Sequence, residues 1–121
     1  MKTKTKEMSP PLELAVEAAR AKKAEEIVVL DLRGVAGFTD YFLLCTGASS
    51  RQVQAICDEI ERRLGEDGLS PAHIEGYNHA EWVLLDYVGF VAHVFSESAR
   101  SFYDLDRLWR TARRVPFAAE A

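Results

Sequence analysis

The sequence has few cysteines and no long apolar run. Cys45 and Cys57 are the only cysteines among 121 residues, and they do not form a C-x-x-C pair. Two cysteines are too few for a disulfide framework, which makes a reducing cytosol the simplest setting. No apolar stretch approaches the roughly 20 residues that span a bilayer, and the lysine-rich N-terminus lacks the apolar core of a secretory signal. We therefore expect a cytoplasmic protein with no membrane partner.

An excess of positive charge is also missing. The formal net charge is -4, so bulk electrostatics do not draw the whole molecule to nucleic acid or to anionic membrane. The predicted last helix is a local exception, because it carries five arginines against two aspartates: Arg100, Arg107, Arg110, Arg113 and Arg114 against Asp104 and Asp106. This pattern suits either a contact with RNA or a solvated helix end, and both interpretations stay open.

The usual signatures of a catalytic or metal site are absent. The histidines His73, His79 and His93 lack the spacing of a metal pair. His93 lies in the middle of an apolar run, where a structural histidine with one satisfied ring nitrogen is favoured over a catalytic one. Asp31, Asp40 and Asp86 fall near predicted strand ends but belong to no recognisable triad. The sequence therefore predicts no catalytic residue, no metal and no cofactor.

One turn has the position of a phosphate-binding site, between a predicted strand and a helix N-terminus. Thr46–Gln52, TGASSRQ, leads from a predicted strand into a helix N-terminus, where backbone N–H groups can hold an anion. The stretch lacks the full glycine spacing of a dinucleotide or P-loop fingerprint. A well-capped helix is the favoured interpretation.

The pattern of apolar residues predicts an α/β fold. Unbroken apolar strands lie between amphipathic helices, which is typical of a single layered domain with a mixed β-sheet flanked by helices. The predicted elements are a helix at about Pro11–Ala24, strands Ile27–Leu32 and Tyr41–Thr46, a helix over 51–64, a short strand Pro71–Glu75, hairpin arms Trp82–Leu85 and Phe90–Phe95, and a last helix that Pro116 ends. Phe102, Leu105, Leu108 and Trp109 form the apolar stripe of that last helix.

The same pattern gives the predicted boundaries. We expect a disordered tail at 1–10, one domain at 11–115 and a C-terminal tail at 116–121. The crossover through 51–64 should be parallel and right-handed.

The hairpin Glu81–Ser96 is the least ordinary stretch. Both faces of both arms are mostly apolar, so it is buried on two sides or offers one side to a partner. Between the arms, Asp86 opens a turn that Gly89 closes, which predicts a type I turn followed by a left-handed residue. Trp82 beside aliphatic residues, with a carboxylate at the rim, has the composition of a protein-binding hot spot, although composition alone favours a core strand.

Several segments together resemble a known family. They are KKAEEIVVLDLRG (22–34), TDYFLLCTGASSRQVQAICDEI (39–60), EG at Glu75–Gly76, and WVLLDY, VAHVF and ARSFYDLDRLW within 82–109. In this order they are similar to the ribosomal silencing factors, also called Iojap-like proteins. The resemblance implies an α/β fold related to nucleotidyltransferases, in a family that is not known for catalysis.

The resemblance also implies a partner and a surface. Family members bind the large ribosomal subunit through its protein number fourteen, block joining of the small subunit and lower translation when nutrients are short. They are often homodimers when free. The implied contact residues are Trp82, Val83, Leu84, Leu85 and Asp86, supported by Glu75, His93, Arg100 and Tyr103.

One departure and two alternatives accompany this interpretation. The family usually has an acidic residue at the hairpin turn where this chain has Gly89 after Val88, so a negative charge at the tip is missing. One alternative is a nucleotidyltransferase-like enzyme that uses Asp40 or Asp86 with a metal. The chain keeps a similar turn at Gly47–Ser49 but has no D-x-D on the neighbouring strand, which favours a scaffold reused for binding. The other alternative is a homodimeric structural module whose hairpin face is its self-interface.

Overall fold

The computed structural model describes residues 8–117. The helices and strands, in chain order, are α1 Pro10–Ala21, β1 Glu25–Asp31, β2 Tyr41–Gly47, α2 Ser50–Glu66, β3 His73–Glu75, β4 Trp82–Asp86, β5 Phe90–Ser96, α3 Glu97–Tyr103, α4 Leu105–Leu108 and β6 Arg113–Arg114. The predicted α/β domain with a mixed sheet is confirmed. The kinship with nucleotidyltransferases stays a prediction.

The six strands form one sheet in the order β3-β4-β5-β2-β1-β6. Strands β2 and β5 pair in parallel, with Tyr41 opposite Phe90 and Gly47 opposite Ser96, and the other pairs are antiparallel. Because β3 is antiparallel to β4 and β4 to β5, β3 runs in the same direction as β2. The crossover through α2 is therefore parallel as predicted, and its hand stays a prediction.

Both long helices begin as the sequence indicates. The Ser9 hydroxyl accepts a hydrogen bond from the Leu12 N–H, and Pro10 opens α1.

Met8 is buried in the core next to this helix, so the fold includes residues before the predicted boundary at 11. The rest of the two predicted tails, 1–7 and 118–121, lies outside the described residues.

Just after the C-terminal end of each of these helices, one residue adopts the left-handed backbone conformation. Helix α1 stops at Ala21, three residues earlier than predicted, because Lys23 has φ +65° and the Ala24 N–H returns to the Ala19 carbonyl. Gly68, with φ +83°, is the left-handed residue that follows α2. Both ends turn the chain back toward the sheet.

The sheet has a separate core on each face. Helices α1 and α2 cover one face, where Val16 and Ile56 pack near Leu43 and Val94. The other face carries Phe42, Leu44 and Phe95, and it is covered by Ala99 of α3 and by the chain around Leu105 and Ala112. The second cover is shorter than the first, so part of this face stays open near β3 and β4.

The predicted last helix is wrong. It breaks at Asp104, which has φ +51°, into the short helices α3 and α4, and Arg113–Arg114 pair with β1 as strand β6. The predicted apolar stripe also divides, because Leu105 is buried while Phe102 and Leu108 are exposed. The periodicity of one helix could not show this break.

Candidate functional site

The two faces of strand β4 have different environments. Val83 and Leu85 are 0% exposed and pack toward α1 and α2, whereas Trp82, Leu84 and Asp86 are only partly buried on the other face. Successive side chains of a strand point to opposite faces, which explains the division. Val83 and Leu85 therefore belong to the core, and our prediction that they lie on a contact surface is wrong.

Trp82 is held in place although it is partly exposed. Its indole N–H donates to Nδ1 of His93 at 3.0 Å. Its ring lies 4.6 Å from the ring of Tyr103 and 5.3 Å from that of Phe95, measured between centroids. An aromatic side chain with its rotamer fixed loses little entropy when a partner covers it.

His93 supports this surface from inside. The side chain is 3% exposed, and its ring lies 4.4 Å from the ring of Phe42. Burial lowers the pKa of His93 to about 4, so the ring is neutral at pH 7. Because Nδ1 accepts the Trp82 hydrogen bond, the proton is on Nε2, which has no partner among the described residues. The predicted structural histidine with one satisfied nitrogen is confirmed, and a direct contact with a partner is not open to it.

Glu75 lies beside the exposed part of Trp82, and Asp86 lies further along the same face of β4. Glu75 of β3 pairs with Leu84 across the strands, and His73 pairs with Asp86, so all four share the face of Trp82. Glu75, Gly76, Trp82 and Leu84 line a shallow groove of about 210 Å³. Half-exposed Tyr103 borders the other side of Trp82. We call Glu75, Trp82, Leu84, Asp86 and Tyr103 the hairpin surface.

Glycine is required where β3 leaves this surface. Gly76 has φ +83°, and a Cβ atom there would lie 2.2 Å from the carbonyl oxygen of Trp82. Residue 76 thus passes directly under the backbone of Trp82, a contact that no other residue permits without displacement. The EG pair in the sequence was the one signal of this close approach.

The hairpin turn differs from the predicted one in its left-handed residue. That residue is Val88, with φ +73°, whereas Gly89 has no positive φ. One Asp86 carboxylate oxygen accepts from the Val88 N–H at 2.8 Å, and the Thr39 hydroxyl donates to the Val88 carbonyl at 2.9 Å. These two bonds hold a β-branched residue in a conformation that such residues rarely adopt.

Arg100 does not face a partner. It is buried, and it donates two hydrogen bonds to the Asp106 carboxylate, at 2.9 and 3.0 Å, and one to the Thr46 hydroxyl at 2.8 Å. The bonds from Arg100 lower the pKa of Asp106 below its usual value. Arg100 is therefore not available for direct contact with a partner, and its support of a contact surface from inside stays a prediction. Its role depends on Thr46, 54 residues earlier, which no local pattern shows.

The turn Thr46–Gln52 is closed by its own side chains. The Ala48 N–H donates to Gln52 Oε1 at 2.6 Å, and the Gln52 N–H donates to the Ser49 hydroxyl at 3.1 Å. The Gln52 side chain also binds the carbonyls of Lys22 and Lys23. The capped-helix interpretation is confirmed, because these N–H groups already have acceptors.

The remaining candidate groups are buried or scattered. Within residues 8–117, no three His, Cys, Asp or Glu side chains lie together in a way that could hold a metal ion. Cys45 and Cys57 are buried free thiols, and burial raises the pKa of both above the usual value. No helix in the same range is long and apolar enough to cross a membrane.

Comparison with known proteins identifies the family of this chain. The family model described as "Ribosomal silencing factor during starvation" matches residues 5–121. The chain belongs to this family. A ribosomal silencing factor of Halalkalibacterium halodurans is 43% identical over 104 residues, which are 86% of this chain and 89% of that protein. The silencing factor of Bacillus subtilis is 44% identical over 101 residues, 84% and 86% of the two chains.

More distant relatives and solved structures agree. The chloroplast protein Iojap of Zea mays is 33% identical over 86% of this chain, which corresponds to 46% of the maize protein. A crystal structure of a Bacillus halodurans protein, 42% identical, has a TM-score of 0.78 and covers 88% of this chain and 96% of its own. A Chromobacterium violaceum protein, 32% identical, has a TM-score of 0.80 and covers 92% of each chain. The silencing-factor fold therefore extends over nearly the whole chain.

Proposed function

We propose that this protein represses translation by binding protein number fourteen of the large ribosomal subunit through the hairpin surface. Bound there, it blocks association with the small subunit when nutrients are limiting. The names of the relatives support a silencing role. The single observation that carries the site is Trp82, which is fixed by His93 and Tyr103 yet partly exposed on a groove that it shares with Glu75. The activity places the protein with ribosomes in the cytoplasm.

The energetics of such a contact follow from the side chains. Burial of a whole apolar side chain contributes roughly 1.5–3 kcal/mol, and the parts of Trp82 and Leu84 that are still exposed, about a third of each side chain at most, contribute correspondingly less. The rigid indole adds area without a large entropic penalty. Glu75 and Asp86 favour a basic partner and fix the register of docking more than they add affinity.

The repression is steric and needs no chemical step. Helices α1 and α2 cover the sheet face opposite the hairpin surface. When the hairpin surface is docked, these helices project from the large subunit into the space that the small subunit requires. A second copy of the chain would enlarge the obstacle, since we also propose that the free protein is a homodimer.

Co-sedimentation with purified large subunits tests the proposal. We expect Asp86→Arg and Trp82→Ala to weaken binding tenfold or more, and to restore subunit joining in sucrose gradients. Asp86→Asn keeps an acceptor for the Val88 N–H and removes only the charge, so we expect it to lie between Asp86→Arg and wild type. Glu17→Arg is the matched control, because Glu17 is an exposed residue of α1 and the charge change is the same.

The outcomes separate the parts of the proposal. If wild type does not sediment with large subunits, the function is wrong. If Asp86→Arg and Trp82→Ala bind like wild type while remaining folded, the hairpin surface is the wrong site. Strong thermal stabilisation by a nucleotide with Mg²⁺ would favour the enzyme alternative. A dimer that Trp82→Ala dissociates, without any effect on ribosome binding, would favour the structural module.

A further inference from the structure

A second exposed surface lies at the junction of α3 and α4. Phe102 is 78% exposed and Leu108 is 68% exposed. Both line an open groove of about 500 Å³ that also contains Arg107 and Arg110. We call these four residues the α3–α4 patch. Large apolar side chains that are exposed as a group commonly mark a binding site.

The exposure of this patch is built into the fold. A continuous helix would place Phe102 and Leu105 on one apolar stripe, but left-handed Asp104 breaks the helix and turns only Leu105 inward. The break is held by the buried Arg100, which binds Asp106 just beyond it with two hydrogen bonds. Phe102 is thus directed outward by a buried ion pair, and it is not the frayed end of a helix.

The patch carries two arginines that no carboxylate within residues 8–117 neutralises. Among the ion pairs of the described residues, Arg113 binds Asp31 at 3.2 Å and Arg114 lies 3.8 Å from Asp106. Arg107 and Arg110 have no carboxylate partner in that range, and Arg110 donates only to the Arg107 carbonyl. Asp104 is the single acidic residue that lines the groove. The local charge is therefore positive on a molecule whose net charge is -4.

The patch adjoins the hairpin surface. The ring of Tyr103 lies 4.6 Å from the ring of Trp82 and 4.9 Å from the ring of Phe102, which it meets edge-on at 89°. A partner docked on Trp82 therefore has its neighbouring parts next to Phe102. The large ribosomal subunit consists mainly of RNA, so RNA is the most frequent neighbour of any one of its proteins.

We propose that the α3–α4 patch binds ribosomal RNA adjacent to the protein that the hairpin surface contacts. Arg107 and Arg110 pair with phosphates, and the exposed ring of Phe102 stacks on an unpaired base. Guanidinium groups beside a free aromatic ring are the usual composition of sites for single-stranded RNA. The net charge of -4 disfavours RNA binding by the molecular surface as a whole, so an RNA contact requires a local basic patch such as this one. The inference rests on the proposed function, which supplies the neighbouring protein contact.

A salt titration of binding to large subunits tests the arginines. Each phosphate contact to single-stranded RNA contributes about 0.7 to the slope of log affinity against log salt. We expect Arg107→Gln with Arg110→Gln to reduce that slope by about 1.4. The double variant Lys22→Gln with Arg51→Gln removes the same charge from two exposed positions, the C-cap of α1 and the first turn of α2, and should leave the slope within about 0.3 of wild type.

The aromatic contact has its own signature. Phe102→Ala should weaken subunit binding by roughly 5- to 150-fold without changing the salt slope, because stacking releases no counterions. Phe102→Leu keeps an apolar side chain and loses the ring, so it should recover only part of the affinity. All of these variants should bind isolated protein fourteen as tightly as wild type does.

Three results would overturn the inference. The first is an arginine double variant with the salt slope of wild type. The second is loss of affinity for isolated protein fourteen by the patch variants, which would make the patch a protein contact. The third is wild type that fails to bind large subunits, which removes the proposed function together with this surface. The first two leave the proposed function intact.

Discussion

The indole N–H of Trp82 and Nδ1 of His93 are joined by a hydrogen bond of 3.0 Å. This bond connects the largest side chain of the hairpin surface to a residue that is buried in the core. It also requires a neutral imidazole, because a protonated ring would present a second donor to the indole N–H. The shape of the surface and the protonation state of the interior are therefore linked.

The first prediction concerns pH. The pKa of His93 falls from the usual 6.5 to about 4 in the fold, so between these values the unfolded chain binds a proton that the native chain does not. Stability is therefore full above pH 6.5 and decreases as the pH falls toward 4, by about 3 kcal/mol in total. Denaturant titrations from pH 7 to 4.5 should show this decrease. The His93→Gln variant has no imidazole to protonate at this position. Its free energy of unfolding should therefore decrease much less between pH 7 and 4.5.

The second prediction compares two arginines that each bind one aspartate with two hydrogen bonds. Arg100 is buried against Asp106, whereas the side chain of Arg33 is 54% exposed beside Asp31. Arg100→Gln removes two charge-assisted hydrogen bonds to Asp106 in a largely buried site, although Arg114 stays 3.8 Å from that carboxylate, so we expect the free energy of unfolding to fall by roughly 2 kcal/mol. Arg33→Gln should lower it by less than about 1 kcal/mol. Equal losses in urea titrations would contradict the structural role of Arg100.

The third prediction tests the close approach at Gly76. Gly76→Ala adds a Cβ atom that would lie 2.2 Å from the Trp82 carbonyl oxygen, in a left-handed conformation that alanine disfavours. We expect a loss of roughly 2–4 kcal/mol in unfolding free energy. Gly65→Ala is the control, because residue 65 lies within α2 with open space around it, and it should gain up to about 1 kcal/mol.

The fourth prediction concerns the strained turn. Val88 is 66% exposed with φ +73°, so glycine there loses little buried area and removes the strain. We expect Val88→Gly to raise the free energy of unfolding by about 1 kcal/mol. Val35→Gly should instead lower it, since Val35 is a loop residue of similar exposure without a positive φ. A loss in both variants, measured by thermal unfolding, would show that the turn is not strained.

Local patterns predicted most of the fold, but they did not show which of the predicted contact residues are exposed. Apolar runs located the central strands and the hairpin, because burial on both faces leaves a clear signal in the composition. Trp82 is partly exposed and Val83 is buried because successive side chains of a strand point to opposite faces of the sheet. The last helix was predicted wrongly because the spacing of Phe102, Leu105 and Leu108 fits one helix, while the left-handed Asp104 and the Arg100–Asp106 contact across the break leave no mark on that spacing. The strain at Val88 was equally hidden, since it depends on Thr39.

The position of β5 has a consequence for how the chain folds. This strand lies between β4 and β2, yet it is the last long strand in the sequence. Until it is present, the β1–β2 pair and the β3–β4 pair have no shared edge. The six-stranded sheet therefore cannot be completed before the C-terminal third of the chain is available. Since Trp82 is positioned by His93 of that same strand, a ribosome must translate past Ser96 before the new chain possesses its hairpin surface.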